Sequence, residues 1–334
     1  MKNFRYASAV ATCGISALAV IEIYAGCSSS SDSGSGPGAP DSGKDGSYII
    51  YPDASGDCDP TKPFGPPVFI PSLDPSATDV SATLSPDELT IYFSHLLPEG
   101  DYRIAWAKRD QITDGFGPLT YLPGLQAGVD ASVWDFDPWI AADNLSLYFA
   151  SQGGRLGSLG GTDLFLAKRA DTTADFANPV AVPNVNSANN DRCGSLPGDQ
   201  KTLYLLSDRD STHGHRIYRA TSSNGTFTAG QLFDSGDETG EFDDFPVPSS
   251  DNLTLFFAST RTGSQGGRDI WVATRSNPSD DFGAPTNMGD VAKINGPADE
   301  IPDWLSPDGC RLYLHSGRTE GGATHAIWVA TRPH

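Results

Sequence analysis

An aromatic residue flanked by aliphatic ones recurs five times in this chain, each time five residues after an aspartate. The copies read SPDELTIYFS, AADNLSLYFA, PGDQKTLYLL, SSDNLTLFFA and SPDGCRLYLH. Their anchor aromatics are Tyr92, Tyr148, Tyr204, Phe256 and Tyr313, spaced by 56, 56, 52 and 57 residues. A second run follows each anchor: RIAWAKR, DLFLAKR, RIYRATS, DIWVATR and AIWVATR. Four of these runs end on an arginine, at Arg109, Arg169, Arg275 and Arg332. Self-similarity at such a period marks a repeated unit that buries its faces only against its neighbours.

Each copy consists of short alternating runs separated by turn residues, which is the pattern of strands. The Pro-Asp, Ala-Asp and Gly-Asp pairs suit tight turns between a first strand, A, and the aromatic strand, B. The second run is strand C. A variable stretch with a fourth strand, D, comes next: PLTYLPGL, PVAVPNV, TAGQLF and APTNMG. Four strands per unit of about 55 residues describe a propeller blade. The expected fold is therefore all-β, a five-bladed propeller of four-stranded antiparallel blades. The blades are expected at 76–123, 133–186, 189–234, 241–290 and 299–334.

The last copy stops after strand C. Before the first copy stands an orphan segment, KPFGPPVFIPSLDPSATD, which matches the stretch DDFGAPTNMGDVAKINGPAD around the fourth D strand. Residues 66–72 are therefore expected to complete the fifth blade, so that the two ends of the propeller share one sheet. An open ring would leave two unpaired sheet edges.

The net charge is −20. Such a chain repels nucleic acid and anionic lipid head groups, and no nucleic-acid partner is expected. The N-terminus combines a basic start (Lys2, Arg5) with a short apolar stretch, Ala7–Val20, and then Tyr24-Ala25-Gly26-Cys27. This arrangement resembles the lipobox of bacterial lipoproteins. The resemblance implies a signal peptide over 1–26 and acylation of Cys27. Glu22 and Tyr24 depart from the usual pattern, and ordinary secretion is the other reading. Residues 27–60 are rich in Ser, Gly and Asp. They are expected to form a disordered tether spanning about 30 Å, with the propeller over 61–334.

Beyond Cys13 and Cys27, three cysteines remain: Cys58, Cys193 and Cys310. In a propeller the start of strand D and the A–B hairpin lie on one face. A Cys58–Cys310 disulfide would then staple the ring closure. Three unpaired thiols, or another pairing, are the alternatives.

LSPDGCRLYL together with GGRDIWVATR resembles the WD-like, Pro-Asp repeat of TolB-type propellers, across nearly all of the chain beyond the tether. The resemblance speaks for the fold and is almost silent about activity. TolB itself has six blades and an extra domain, neither visible here, so its partners do not carry over. Proteins of this repeat type are often envelope lipoproteins, in keeping with Cys27.

The D–A and B–C loops share the face that propellers commonly use. Carboxylates sit where the D–A loops enter the inner strands: Asp79, Asp135, Asp137, Asp191, Asp243, Asp244, Glu300 and Asp303. Arg209, Arg261 and Arg318 follow the anchor aromatics by five residues in three B–C loops. The set reads either as a charged funnel for a cation, sugar or basic peptide, or as pairs between adjacent blades that hold loops in place. Repetition in step with the fold favours the second reading, because catalytic sites are normally asymmetric. His95, His213, His215, His315 and His325 fall on the same face but on three blades, so no metal site and no cofactor are expected. Gly-x-Ser-x-Gly, Walker, His-Glu-x-x-His and Cys-x-x-Cys motifs are absent from the sequence.

The function expected is non-catalytic: a monomeric module that binds an envelope protein or a carbohydrate at its mouth. It would be lipid-anchored in the bacterial outer membrane, facing the periplasm or the cell surface. The rival is a five-bladed glycosidase using Asp137, Asp191, Asp243 and Asp303, an analogy of fold alone. Anchoring is checked directly: Cys27→Ala is expected to move the protein from the membrane to the soluble fraction.

Overall fold

Strands buried on both faces need cover on each side, and in this chain blades built of such strands close into a wheel. The computed structural model describes residues 58–71, 78–127, 129, 132–210, 214–233, 242–289, 293–318 and 325–334, with Asp79 described by its backbone alone. The expected leader, Cys27, residues 27–57 of the tether and His213 lie outside the described residues.

Strand β1 is Val68–Phe69. The first blade is β2 (Asp79–Leu84), β3 (Thr90–Leu96), β4 (Tyr102–Lys108) and β5 (Thr120–Tyr121). The second is β6 (Trp134–Ile140), β7 (Ser146–Gln152), β8 (Thr162–Lys168) and β9 (Ala177–Ala181). The third is β10 (Asp191–Ser195), β11 (Thr202–Ser207), β12 (Arg216–Thr221) and β13 (Gln231–Leu232). The fourth is β14 (Asp243–Pro248), β15 (Thr254–Ser259), β16 (Asp269–Thr274) and β17 (Thr286–Asn287). The fifth has β18 (Glu300–Leu305), β19 (Arg311–Ser316) and β20 (Ala326–Thr331), with β1 as its fourth strand. All pairings are antiparallel, giving the five four-stranded blades of a propeller. The D strands are shorter than the sequence suggests, only two residues in four blades. A short helix, Pro123–Gln126, follows the first of them.

Ring closure falls where the sequence places it. Val68 faces Val329 and Phe69 faces Trp328. The amide of Gly65 donates to Thr331 O at 2.7 Å, and that of Ile70 to Ile327 O at 3.0 Å. Phe64 and Ile70 are buried in the same apolar cluster as Ile91, Leu203, Val247 and Leu312, which come from four different blades. The Arg332 guanidinium lies 4.2 Å from the centre of the Phe64 ring. A disulfide joins Cys58 to Cys310 with the Cα atoms 5.7 Å apart, across a separation of 252 residues.

Adjacent blades are fastened by the repeat itself. The last residue of each A–B turn is left-handed: Glu88, Asn144, Gln200, Asn252 and Gly309 have φ between 54° and 75°. In three blades the arginine ending strand C donates from Nε to the carbonyl of that residue at 2.9 Å, as Arg109 to Glu88, Arg169 to Asn144 and Arg275 to Asn252. The anchor tyrosine of the preceding blade completes the contact. Tyr204 donates to Asn252 Oδ1 at 2.9 Å while Arg275 donates to the Tyr204 hydroxyl at 3.3 Å. Tyr313 donates to Glu88 Oε2 at 3.0 Å, Arg109 donates to the Tyr313 hydroxyl at 3.2 Å, and Arg311 grips both Glu88 oxygens. Tyr92 meets Arg169 in the same way. These hydroxyls are buried, so each contact satisfies polar groups that would otherwise be stranded.

Three outcomes follow from this arrangement. Deleting residues 60–72 should remove most of the propeller's stability, and a variant that melts like the parent would refute the closure. Cys58→Ser/Cys310→Ser should cost roughly 5 kcal/mol in denaturant unfolding, the chain-entropy value for so long a loop. At the seams, Tyr204→Phe strands Asn252 and Arg275 and should cost about 1–3 kcal/mol by the same measurement.

Candidate functional site

The mouth is built from one rule repeated in four blades. The first or second residue of strand A is a carboxylate, and the residue opposite it on strand B is a serine: Asp135 with Ser151, Asp191 with Ser207, Asp243 with Ser259, Glu300 with Ser316. An arginine from the B–C loop of the same blade joins them. Arg155 donates from Nη2 to both Asp135 oxygens at 2.9 and 2.7 Å, and from Nε to Ser151 Oγ at 3.1 Å. Arg261 does the same to Asp243, at 2.8 and 2.7 Å, and to Ser259 at 3.0 Å. Arg209 reaches Asp191 at 2.7 Å and Ser207 at 2.9 Å. In the fifth blade glutamate is one methylene longer, and Arg318 Nε meets Glu300 itself at 3.1 Å.

These pairs correct the sequence expectation in two respects. The arginines join carboxylates of their own blade, not of the adjacent one, because the B–C loop folds back over the strand from which it springs. The carboxylates also do not form an exposed rim. Asp135, Asp191, Asp243, Asp244 and Glu300 are buried, and Asp244 is held by Arg268 Nε at 2.8 Å. Burial pushes the carboxyls of Asp135, Asp244 and Glu300 up, and the arginine beside each pulls the other way. Asp163 and Asp269, from the GGTD and GGRD stretches, cap their own B–C loops by accepting from Leu159 and Gly160, and from Gln265 and Gly266. A Cβ on Gly160 would lie 1.7 Å from Asn189 O, and one on Gly266 2.2 Å from Ala298 O. Only glycine lets these loops press on the next D–A loop.

Two residues further along, strand A departs from regular geometry. Ser81, Asp137, Cys193 and Phe245 adopt left-handed φ of 50–55°, each inside a bulge against strand B. The fifth blade has Pro302 at this position, whose ring forbids positive φ. Its bulge lies between Pro302 and Trp304 and holds Asp303. Bulges re-aim side chains, and these five bring Ser81, Asp137, Cys193, Phe245 and Asp303 together around one cavity on the wheel's axis. The cavity is about 30 Å³, room for about two waters.

The hub is polar and asymmetric. Asp137 accepts from Ser81 Oγ at 2.9 Å, from Arg192 Nε at 2.8 Å and from Cys193 Sγ at 3.1 Å. Arg192 is half-buried; desolvation would lower its pKa, but Asp137 holds it above the ordinary value. Burial and the Asp137 charge push the Cys193 thiol well up, the reverse of what a thiolate nucleophile needs. Across the cavity His315 Nδ1 lies 2.7 Å from Asp303 Oδ1, with Phe245 edge-on to the imidazole at 5.6 Å. Burial raises the Asp303 carboxyl, and its Oδ2 is buried without a hydrogen-bond partner.

Of the four carboxylates considered for glycoside hydrolysis, Asp137 and Asp303 share the hub, while Asp191 and Asp243 are locked in arginine pairs outside it. His95 and His315 are buried strand residues, and His215 lies 3.9 Å from Asp208. Among the described residues no group of three or more His, Cys, Asp or Glu could hold a metal ion. Sequence reading missed Arg155, because a longer loop places it seven residues after its anchor and not five. The serines at Ser151, Ser207, Ser259 and Ser316 were visible, each three residues after an anchor aromatic. Arg192, Arg268 and Phe245 carry no repeating signal.

No protein-family model matches the chain, and no curated protein matches it. Among solved structures, it is similar to the catalytic domain of the GH62 alpha-L-arabinofuranosidase of Coprinopsis cinerea, with a TM-score of 0.51 and 12% identity over 82% of this chain and 98% of that one. It is also similar to an alpha-L-arabinofuranosidase from Lactobacillus brevis, with a TM-score of 0.50 and 13% identity over 79% and 92%. A third similarity is to TolB from Acinetobacter baumannii, with a TM-score of 0.44 and 14% identity over 77% of this chain; the chain spans 56% of that protein. The arabinofuranosidase likeness is one of fold alone: this chain is a β-propeller.

Proposed function

We propose that the propeller is a non-catalytic binding module that meets an envelope protein through its mouth, as a monomer tethered by a lipid on Cys27 to the bacterial outer membrane. The observation that carries this reading is the state of the mouth carboxylates. Asp135, Asp191, Asp243 and Glu300 are each buried against an arginine of their own blade. A general acid or base must instead face the bond it cleaves. The hub that holds Asp137 and Asp303 has room for about two waters, less than a sugar ring requires.

The mouth offers apolar contact instead. In the B–C loop of the second blade Leu156 is 95% exposed and Leu159 67%, and Phe242 in a D–A loop is also exposed. Large apolar side chains displayed on a rim, on a strongly anionic chain, suit a partner that brings apolar pockets and basic residues. The tether enters at the opposite face, because Cys58 is bonded to Cys310 beside an A–B turn.

The test has two arms. Leu156→Asp/Leu159→Asp should leave the melting temperature within a few degrees of the parent and abolish capture of the envelope partner that the parent retains. Turnover of a panel of aryl-glycosides should be absent. Activity that disappears in Asp137→Asn or Asp191→Asn would replace this reading with the carbohydrate-active one.

A further inference from the structure

A belt of rings surrounds the wheel's axis on the mouth side of the hub, and one guanidinium interrupts it. Tyr102 of the first blade lies 6.2 Å from Phe136 of the second, centre to centre. The Arg192 guanidinium of the third blade follows, 5.2 Å from the Phe136 ring and 5.5 Å from the Phe245 ring of the fourth. Phe245 meets His315 of the fifth blade at 5.6 Å, and His315 meets His325 at 6.3 Å. Phe136 and Arg192 each stand one residue nearer the mouth than the left-handed residues Asp137 and Cys193. By strand register the counterparts of Arg192 in the other blades are Val80, Phe136, Asp244 and Ile301, so the third blade alone places a cation here.

Arg192 is held differently from the other mouth arginines that bind strand-A carboxylates. Arg155, Arg209 and Arg261 commit Nη2 to a buried aspartate. Arg268 has Asp299 3.8 Å from its Nη1, and Nη2 of Arg318 is itself buried. Arg192 binds Asp137 through Nε at 2.8 Å, with the Cys193 thiol alongside, and makes no hydrogen bond from Nη1 or Nη2 to a described residue. Its side chain is 29% exposed, against 5% for the Asp137 beneath it. The charge that reaches solvent at this point is therefore positive, although the chain as a whole carries −20. Fixing Nε against Asp137 orients the planar fork and leaves its outer edge for an acceptor. Two parallel N–H groups match the two oxygens of a carboxylate. Tyr102 and Phe245 are both partly exposed beside it and offer ring faces to an apolar body. The acidic chain opposes every further negative charge on a ligand, which favours one carboxylate over a phosphate or a diacid.

We propose that this belt is a binding site for a monocarboxylate carried on a ring or a short apolar chain. The Nη1–Nη2 edge of Arg192 grips the carboxylate, and Tyr102 and Phe245 contact the body. The site goes beyond the docking surface at Leu156 and Leu159 and stands whether or not a protein meets that rim. The same group occurs in a free acid and at the end of a peptide, and the test separates the two.

Ligand-observed NMR titration of the full chain uses three probes: benzoate, its uncharged analogue benzamide, and the tripeptide Gly-Gly-Phe. Benzoate should bind saturably and at least tenfold more tightly than benzamide. Equal binding of the two, or no saturable binding of either acid, would overturn the proposal without any variant. Tighter binding of Gly-Gly-Phe than of benzoate assigns the site to a chain end, and weaker binding assigns it to a free acid. Arg192→Gln/Asp137→Asn replaces the ion pair with two neutral amides, so no lone buried charge is left. It should abolish the preference for benzoate, with the melting temperature within a few degrees of the parent; a preference that survives would refute the role of Arg192. Phe245→Leu leaves the ion pair intact and serves where the double variant does not fold. It should weaken benzoate at least threefold, and an unchanged affinity would show that the acid binds elsewhere. Leu156→Asp/Leu159→Asp should bind benzoate as the parent does, which keeps this site distinguishable from the rim.

Discussion

Two residues hold the wheel shut. Val68 and Phe69 lie against Val329 and Trp328, and every other blade derives its fixed position from that closure. So short a strand supplies few ladder bonds, and each is worth only about 1 kcal/mol net. The structure surrounds it with interactions of other kinds: Phe64 and Ile70 in the shared core, Arg332 over Phe64, and the Cys58–Cys310 disulfide just outside the sheet. The Arg311–Glu88 grip then fastens the closed blade to the first one. Closure is thus a distributed device whose weakest element is the strand that names it.

Closure also explains why the charged groups are where they are. A propeller narrows toward its axis, so strand A of every blade is buried on both faces. A carboxylate there is costly unless it is paired and hydrogen-bonded. The Arg–Asp–Ser triplet meets that condition with groups from a single blade, which lets the solution recur with the repeat. The hub cannot be solved the same way. Five side chains converge on one point, and identical residues would clash or repel. Serine, aspartate, cysteine, phenylalanine and aspartate fill it with one internally consistent set of partners, at the expense of left-handed backbone in four of the five blades. Strain of this kind persists only where the surrounding structure enforces it.

The sequence carried the architecture because the architecture is periodic. Blade count, strand order and the role of the segment around Phe69 all follow from matching one copy against another. The Cys58–Cys310 proximity follows once the strands have been assigned to faces. The carboxylates and three of the four arginines were also legible, since they recur in register. Their partners were not, because spacing alone does not tell whether a loop folds over its own blade or over its neighbour. Arg155 was hidden by two extra loop residues. The hub stayed invisible for a physical reason: a bulge shifts strand A by one residue and exchanges the faces of its side chains. Plain alternation then gives no indication of which residue points to the axis, and in the fifth blade Pro302 moves the bulge so that Asp303 takes the place.

Departures from the repeat are consequently more informative than the repeat. Where all copies agree, the residue serves the blade, as the turn aspartate does. Where one copy differs, either the fold has lost something or it has been given another task. At the seam after Phe256 the loss is double and matched: the hydroxyl and its acceptor are both gone. A single loss would have stranded a buried polar partner at a cost of about 1–3 kcal/mol. Losing both together leaves Phe256 and Leu305 facing a groove that Ser249, Asp251, Thr254 and Asp308 also line, next to the Cys58–Cys310 disulfide. The second blade's B–C loop is the same case on the other face, where a longer insertion keeps its arginine on Asp135 and lifts Leu156 and Leu159 into solvent. Each face of the wheel thus has places where regularity has been given up, Phe256 and Gly309 on one and the loop that lifts Leu156 and Leu159 on the other.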